Sequence, residues 1–128
     1  MKFLIGYDGS TASVNAVEEA KKYAKPLQAK LIILTTIPYN PSDPEHKEME
    51  DILQNLKNDL TTDGLDCDFY IIEKSYSAAE HLIDISLHEN IDLIFVGVKK
   101  KSKLNKLIIG STAQYLILEG KCPVVTVK

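Results

Sequence analysis

The stretch FLIGYDGSTAS, Phe3–Ser13, contains the pattern of a strand, a turn and a helix start within eleven residues. Phe3–Tyr7 is a short apolar run with the length and composition of a buried strand. Asp8, Gly9 and Ser10 follow as a turn and helix-start signal, because glycine and short polar side chains favour such positions. This stretch therefore predicts a strand that leads directly into a helix, which is the repeating unit of an α/β protein.

The same strand-then-helix unit recurs along the rest of the chain. Four further runs are predicted as strands: Leu31–Ile37, Cys67–Ile72, Ile91–Val96 and Pro123–Val127. The segments between them carry apolar residues at helical spacing. Strands that are apolar on both faces and separated by helices indicate a parallel sheet covered on both sides. We therefore expect a single doubly wound five-stranded α/β fold, in which ligands bind beyond the carboxyl ends of the strands.

Prolines and polar caps predict the helix boundaries. Pro26 is expected to end the first helix, because proline has no N–H to donate. The other three helices are expected to begin at capping residues, namely Asp43 before Pro44, Ser77 with Glu80, and Ser111 with Gln114.

Side-chain spacing predicts which helix faces turn inward. One apolar face is expected on the second helix, formed by Met49, Ile52, Leu53, Leu56 and Leu60. The three histidines, His46, His81 and His88, are expected on the surface, and His81 and His88 lie on the helix face opposite Leu82 and Ile83. Their spacing also does not suit a metal site. We assign no metal ligands.

The composition suits one compact domain over residues 1–128, with 45% hydrophobic and 26% charged residues. The longest apolar runs are of strand length, so no membrane span is expected. The first ten residues reach a turn and a charge too early for a secretory signal, which favours a cytoplasmic location. Cys67 and Cys122 lack zinc-site spacing and are expected to be free thiols.

The charge is distributed unevenly along the chain. The net charge is −3, but Leu93–Leu118 contains five lysines and no acid, which leaves −8 for the remainder. A domain that is acidic everywhere else argues against a nucleic-acid partner. A small anion held at one position is compatible with this pattern.

The five lysines lie in GVKKKSKLNKLIIGSTAQ, Gly97–Gln114, at the end of the fourth predicted strand. Gly97 is expected to let a ligand approach the backbone closely. Gly110, Ser111 and Thr112 open the next helix, whose N-terminal N–H groups and partial positive charge can hold phosphate oxygens. Two interpretations remain open: a cradle for an anion, or a solvated loop beside an ordinary helix cap.

Several stretches together resemble the universal stress protein family over the whole chain. LIGYDGSTAS, IDLIFVG and KCPVVTVK are similar to the family's opening, fourth strand and ending. Gly110 and Ser111 fall where the family's nucleotide motif, GxxGx9G[ST], closes. The resemblance implies a Rossmann-like, adenine-nucleotide alpha-hydrolase-like fold, ATP binding in a subset of members, and homodimers that associate through the last strand.

The resemblance also implies roles for particular residues. The first-strand aspartate and the end of the second strand would approach the adenosine, and the glycine motif would hold the ribose and phosphates. The positions concerned are Asp8, Thr36, Val96, Gly97, Lys100, Gly110, Ser111 and Thr112. Lys100 replaces the second glycine of the motif, so it would offer a flexible charge to a phosphate instead of a close backbone approach.

The last strand is expected at an edge of the sheet, where its β-branched residues invite pairing with a second copy of the chain. Replacing Val125 with proline is expected to break this pairing.

Three functions remain compatible with the sequence. The first is a cytoplasmic, homodimeric stress-response module that binds ATP. The second is a stress-protein dimer with an empty pocket, which Lys100 motivates. The third is an enzyme, a slow ATPase or phosphatase, although the chain has no evident Mg²⁺ ligand pair and no arginine for phosphoryl transfer. We therefore assign no catalytic residue, and Asp8 lacks the acidic neighbour that a phosphoacceptor site requires.

Overall fold

The computed structural model describes residues 1–38, 44–74, 77–99 and 110–128. In these ranges strands and helices alternate as β1 (Lys2–Gly6), α1 (Thr11–Leu27), β2 (Lys30–Pro38), α2 (Glu45–Thr62), β3 (Cys67–Lys74), α3 (Ala78–His88), β4 (Leu93–Gly97), α4 (Ser111–Glu119) and β5 (Val124–Val127). No helix in the ranges given is both long and apolar enough to cross a membrane. Asp43 and Lys100 lie outside the described residues, so their proposed roles stay predictions.

All five strands pair in parallel, in the spatial order β3-β2-β1-β4-β5. The chain runs outward from β1 to β3 on one side, and then returns to place β4 and β5 on the other side of β1. The strand order therefore reverses between β1 and β4, which is where open α/β sheets bind ligands. The predicted doubly wound five-stranded fold is confirmed.

The buried residues form one apolar layer on each face of the sheet. Phe3 and Ile5 pack with α1 and α2, whereas Leu4, between them, packs with α3 and α4. Successive residues of the neighbouring strand, Leu31–Leu34, are buried for the same reason. Because helices cover both faces, these central strands need apolar residues at every position and not only at alternate ones.

Two of the predicted helix starts can be compared with the structure. Ser77 caps α3 as expected, and its Oγ accepts a hydrogen bond from the Glu80 N–H at 3.3 Å. The prediction that Ser111 caps α4 is wrong, because the N-cap is Gly110, which is extended at φ −59° and ψ 158°. Ser111 is already the first helical residue, so its side chain is not in the capping position.

The predicted end of α1 at Pro26 is also wrong, since the helix continues to Leu27. A proline in the last turn removes only one hydrogen bond, at a point where the helix is about to stop. Gln28 ends the helix in a left-handed conformation with φ 52°, and its N–H bonds to the carbonyls of Ala24 and Lys25.

The burial of two helical side chains differs from the prediction. His81 was expected at the surface but is only 6% exposed, because α3 packs against both the sheet and α4 and therefore buries a wide arc. Ile52 was expected inward but is 47% exposed, since α2 buries a narrower stripe that includes Leu53 and Leu60. The width of a buried helix face depends on its neighbours, which spacing within the helix does not show.

Candidate functional site

A cavity of approximately 300 Å³ lies at the carboxyl edge of the sheet, where the strand order reverses. Residues at the ends of β1, β2 and β4 line it, together with residues from the first turns of α3 and α4. This volume is at the lower end of the range for small-molecule sites. The concave site therefore lies where the connectivity of the strands places it.

Three central strands contribute their carboxyl ends to the lining. Consecutive residues line the cavity at the ends of β1 and β4, namely Gly6–Asp8 and Val96–Val98, whereas β2 contributes the alternate residues Leu34 and Thr36. Thr35 lies between these two in sequence but is buried, and its hydroxyl donates to the Tyr7 carbonyl at 2.9 Å. Alternation along β2 thus selects which of its side chains reach the cavity.

Every predicted site residue that the structure describes lies in the lining of this cavity. The residues brought together are Asp8, Thr36, Val96, Gly97, Gly110, Ser111 and Thr112. Lys100 is outside the described residues, but Lys99, just before it, is in the lining. Segments up to about a hundred positions apart in sequence therefore meet at one site.

Asp8 is held in place by the turn that leads into α1. Its Oδ1 accepts a hydrogen bond from the Ser10 N–H at 2.9 Å, and its own N–H donates to Ser13 Oγ at 3.4 Å. Burial alone would raise the pKa of Asp8, but hydrogen bonds from Ser10 and Ser13 and the charge of Lys99 outweigh it and lower the pKa. Asp8 is therefore an oriented carboxylate that can accept hydrogen bonds from a ligand.

The N-terminus of α4 supplies hydrogen-bond donors to the cavity. The N-cap is Gly110, which has no side chain to accept hydrogen bonds from the first turn. The Gln114 N–H donates to the Gly110 carbonyl at 3.1 Å, in the pattern of the first α-helical hydrogen bond. The N–H groups of a first helical turn have no partner within the helix, point along its axis beyond the N-terminus, and carry partial positive charge. Together with the hydroxyls of Ser111 and Thr112, this arrangement suits phosphate oxygens.

The structure gives Gly97 a packing reason for being glycine, in addition to the expected approach of a ligand, which stays a prediction. Gly97 does not adopt a left-handed backbone. A Cβ atom built on it would lie 2.6 Å from the Ala12 carbonyl carbon and 2.7 Å from the Ser13 nitrogen. The first turn of α1 therefore packs directly on Gly97, so the glycine is required for helix–strand contact at the rim of the cavity.

Several residues of the lining were missed by sequence reasoning, notably Gly6, Leu82 and Val98. A Cβ atom on Gly6 would lie 3.3 Å from Leu82 Cδ1, so the two residues meet across the cavity floor. Gly6 and Val98 lie at the ends of β1 and β4, close in sequence to Asp8 and Gly97, so that position could have identified them. Leu82 comes from α3, and only the packing of that helix on the sheet brings it into the site.

The lining combines an acceptor, hydrogen-bond donors, a positive charge and apolar groups. The ends of β1 and β2 present the Asp8 carboxylate and the Thr36 hydroxyl, while the segments after β4 present Lys99 and the first turn of α4. Apolar side chains such as Leu34 and Leu82 lie among these polar groups. A ligand that has hydrogen-bond donors, an apolar body and an anionic group would match this set of groups.

An open doubly wound sheet with a cavity at its switch point places the chain in the Rossmann-like α/β class. The sequence matches the universal stress protein family over residues 1–128, and the chain belongs to that family. The universal stress protein YxiE of Bacillus subtilis (strain 168) is 28% identical in an alignment of 150 residues, and the alignment covers 99% of this chain and 98% of that protein.

Solved structures share the fold at lower identity. A universal stress protein from Archaeoglobus fulgidus in complex with dAMP superposes with a TM-score of 0.78 at 16% identity, covering 100% of this chain and 98% of its own. A universal stress protein in complex with cAMP gives a TM-score of 0.79 at 24% identity, covering 99% of this chain and 95% of its own.

Proposed function

We propose that this universal stress protein binds an adenine nucleotide in the cavity at the carboxyl edge, with ATP as the expected ligand. The observation that carries the proposal is the pairing, in one cavity, of the Asp8 carboxylate with the uncapped N-terminus of α4. A nucleotide has complementary groups, since its nucleoside carries N–H and O–H donors and its phosphates are anionic. The dAMP and cAMP complexes of two family members support the adenine nucleotide class.

Each end of the ligand is assigned to one group of residues. Asp8 and Thr36 accept hydrogen bonds from the nucleoside, because an ionised carboxylate can only accept. Gly110–Thr112 bind the phosphates through backbone N–H groups and hydroxyls, and Lys99 adds a mobile positive charge. The helix terminus supplies the geometry, and the lysine contributes mainly long-range attraction that salt weakens.

The protein is proposed to act as a cytoplasmic homodimer in a stress response, with pairing between the β5 strands. β5 pairs with β4 on one side and lies at the edge of the described sheet. The N–H groups of Ile94 and Val98 donate to the Pro123 and Val127 carbonyls at 3.0 and 2.7 Å. Hydrogen bonds in a parallel ladder repeat every second residue, so Val125 also faces β4.

The outward-facing backbone groups of β5 are therefore those of Val124 and Thr126. The expectation that a proline at Val125 would break a dimer selectively needs correction, because that change would first damage the β4–β5 ladder. Thr126→Pro is the appropriate test, since prolines are tolerated on the open side of an edge strand.

Native mass spectrometry of freshly purified protein, followed by calorimetric titration with ATP, ADP, AMP and GTP, tests nucleotide binding. Ser111→Pro keeps the helix start, because proline suits the first helical position, but removes one N–H and one hydroxyl. We expect at least a tenfold loss of affinity, as for a hydrogen bond to a charged group of about 1.5–3 kcal/mol. Thr11→Pro, at the first position of α1 and outside the cavity, is the matched control.

No binding of any adenine nucleotide at millimolar concentration would refute the proposal. Equal affinities of the Ser111→Pro and Thr11→Pro proteins would instead refute the assignment of the phosphates to α4. Turnover is expected to be slow or absent, and labelled ATP with product analysis measures it.

The alternative is a dimer that does not bind nucleotide and acts through protein contacts. Lys100, at the second glycine of the family motif, favours this alternative. Lys100→Gly separates the two possibilities by calorimetry. A gain of ATP affinity would indicate that Lys100 obstructs a vestigial site, and an equal or lower affinity would indicate that it contacts a phosphate.

A further inference from the structure

A second concave site of approximately 300 Å³ lies on the opposite face of the sheet, between α1 and α2. Tyr7 and Leu56 are partly buried against the core and form its floor. Val14 and Ile52 lie in its lining as well, although they are 43% and 47% exposed. The two helices scarcely approach each other, whereas α3 and α4 pack closely. We call this space the α1–α2 groove.

The lining residues form one row on each helix. Val14, Val17 and Glu18 lie on one face of α1, and the row on α2 runs from Ile52 through Asn55 and Leu56 to Asp59. The α2 row covers two helical turns, which is a length of about 10 Å. A trough of this length between two helices suits a short amphipathic helix that inserts side chains spaced by three or four residues.

The groove is acidic at one end. Glu18 and Asp59 lie in its lining, and Asp63 lies nearby at the end of α2. Lys21 lies near all three, and its Nζ is 2.8 Å from Asp63 Oδ2 and 3.9 Å from Glu18 Oε2. Lys25 is also close enough for its charge to lower the pKa of Asp63. Among these groups three carboxylates face two ammonium groups, and the excess negative charge favours a cationic partner.

We propose that the α1–α2 groove binds a basic amphipathic helix of a partner protein. The apolar side chains of that helix insert between Val14 and Ile52, and a lysine or arginine of the same helix lies beside Glu18 and Asp59. The exposed Val14 and Ile52 give such a helix apolar surface to cover, and the carboxylates select basic partners over acidic ones. This site is separate from the nucleotide cavity, and Tyr7 borders both.

The test uses a synthetic leucine–lysine peptide of about 18 residues, long enough to form a helix, and its leucine–glutamate counterpart. Amide chemical-shift mapping on the full chain is expected to place the lysine peptide at Val14, Val17, Ile52 and Leu56. Fluorescence anisotropy is expected to show at least tenfold weaker binding of the glutamate peptide.

Two double variants with the same charge change separate a specific groove from general attraction to an acidic protein. Glu18→Lys with Asp59→Lys is expected to weaken binding of the lysine peptide at least tenfold. Asp66→Lys with Glu119→Lys is expected to weaken this binding about twofold or less. Ile52→Ser, which leaves the charge unchanged, is expected to weaken it about fivefold. Circular dichroism checks that each variant is folded.

Equal losses of lysine-peptide affinity in the two double variants would overturn the proposal. Amide chemical-shift changes that map outside the α1–α2 groove would overturn it as well. A change in sedimentation caused by Ile52→Ser alone would also overturn it, because the groove would then be an interface between two copies of this chain.

Discussion

Gly97→Ala tests why the cavity rim contains a glycine. The added methyl group would lie 2.6 Å from the Ala12 carbonyl carbon and 2.7 Å from the Ser13 nitrogen. These atoms are backbone of the first turn of α1, so no side-chain rotation can relieve the overlap, and the helix must move. Overpacking usually costs 1–3 kcal/mol, and we expect about 3 kcal/mol here because backbone must shift. For a chain of this size that loss lowers Tm by about 10 °C.

Thermal and denaturant unfolding followed by circular dichroism measure this loss. Gly110→Ala is the matched control, because a methyl group there meets no atom of the described residues within 4 Å. The control is expected to lose about 1 kcal/mol or less, as for alanine at an N-cap. A change in the denaturant concentration at the unfolding midpoint, without a change in the m value, would show that stability alone has changed.

Nucleotide titration of Gly97→Ala distinguishes a role of Gly97 in helix packing from a role in ligand approach. A shift of α1 would also displace Ser10 and Ser13, which orient Asp8, so affinity and stability are expected to fall together. If Gly97→Ala lowered affinity while stability stayed within 1 kcal/mol of the original protein, Gly97 would serve ligand approach and the packing argument would be wrong.

Further outcomes follow from other residues. Gly6→Val should fill the cavity floor and abolish nucleotide binding while the protein still folds, and calorimetry that shows unchanged affinity would place the ligand elsewhere. The lowered pKa of Asp8 means that its carboxylate stabilises the fold above the unfolded-state value near 4, and this stability is lost as pH falls through the folded-state pKa. Asp8→Asn should therefore flatten the acid limb of Tm against pH, and an unaltered limb would contradict this. Burial raises the pKa of Cys67 to about 11, so iodoacetamide should label it far more slowly than the more accessible Cys122, and mass spectrometry would reveal equal rates if this were wrong. Thr126→Pro should convert a dimer to a folded monomer in sedimentation, whereas a folded dimer would exclude pairing through β5.

The strands and the place of the site could be predicted because their signals are local. Leu31–Ile37 is apolar at nearly every position, which is typical of a strand buried on both faces. Asp8 and Gly97 each follow such a run, and the carboxyl ends of parallel strands meet at one edge. For that reason the predicted residues outside the undescribed segment do line one cavity.

Other features depend on contacts between distant segments. Ser111 carries the pattern of a capping box, but the helix begins one residue earlier than that pattern requires, with Gly110 as its N-cap. His81 has the spacing of a polar face, but it is only 6% exposed on a helix that packs against both the sheet and α4. Leu82 enters the cavity only because α3 packs across the ends of the central strands.

The sequence by itself determined the kind and order of the elements and the edge of the sheet at which the cavity lies, because periodicity and turn residues act over a few positions. Tertiary structure alone decided that Gly97 supports α1, that Val125 faces β4 while Thr126 faces outward, and that α1 and α2 leave a groove between them. The physical reason is that these properties depend on the order and register of strands and on how closely helices approach. Such properties arise only when residues far apart in the chain come into contact.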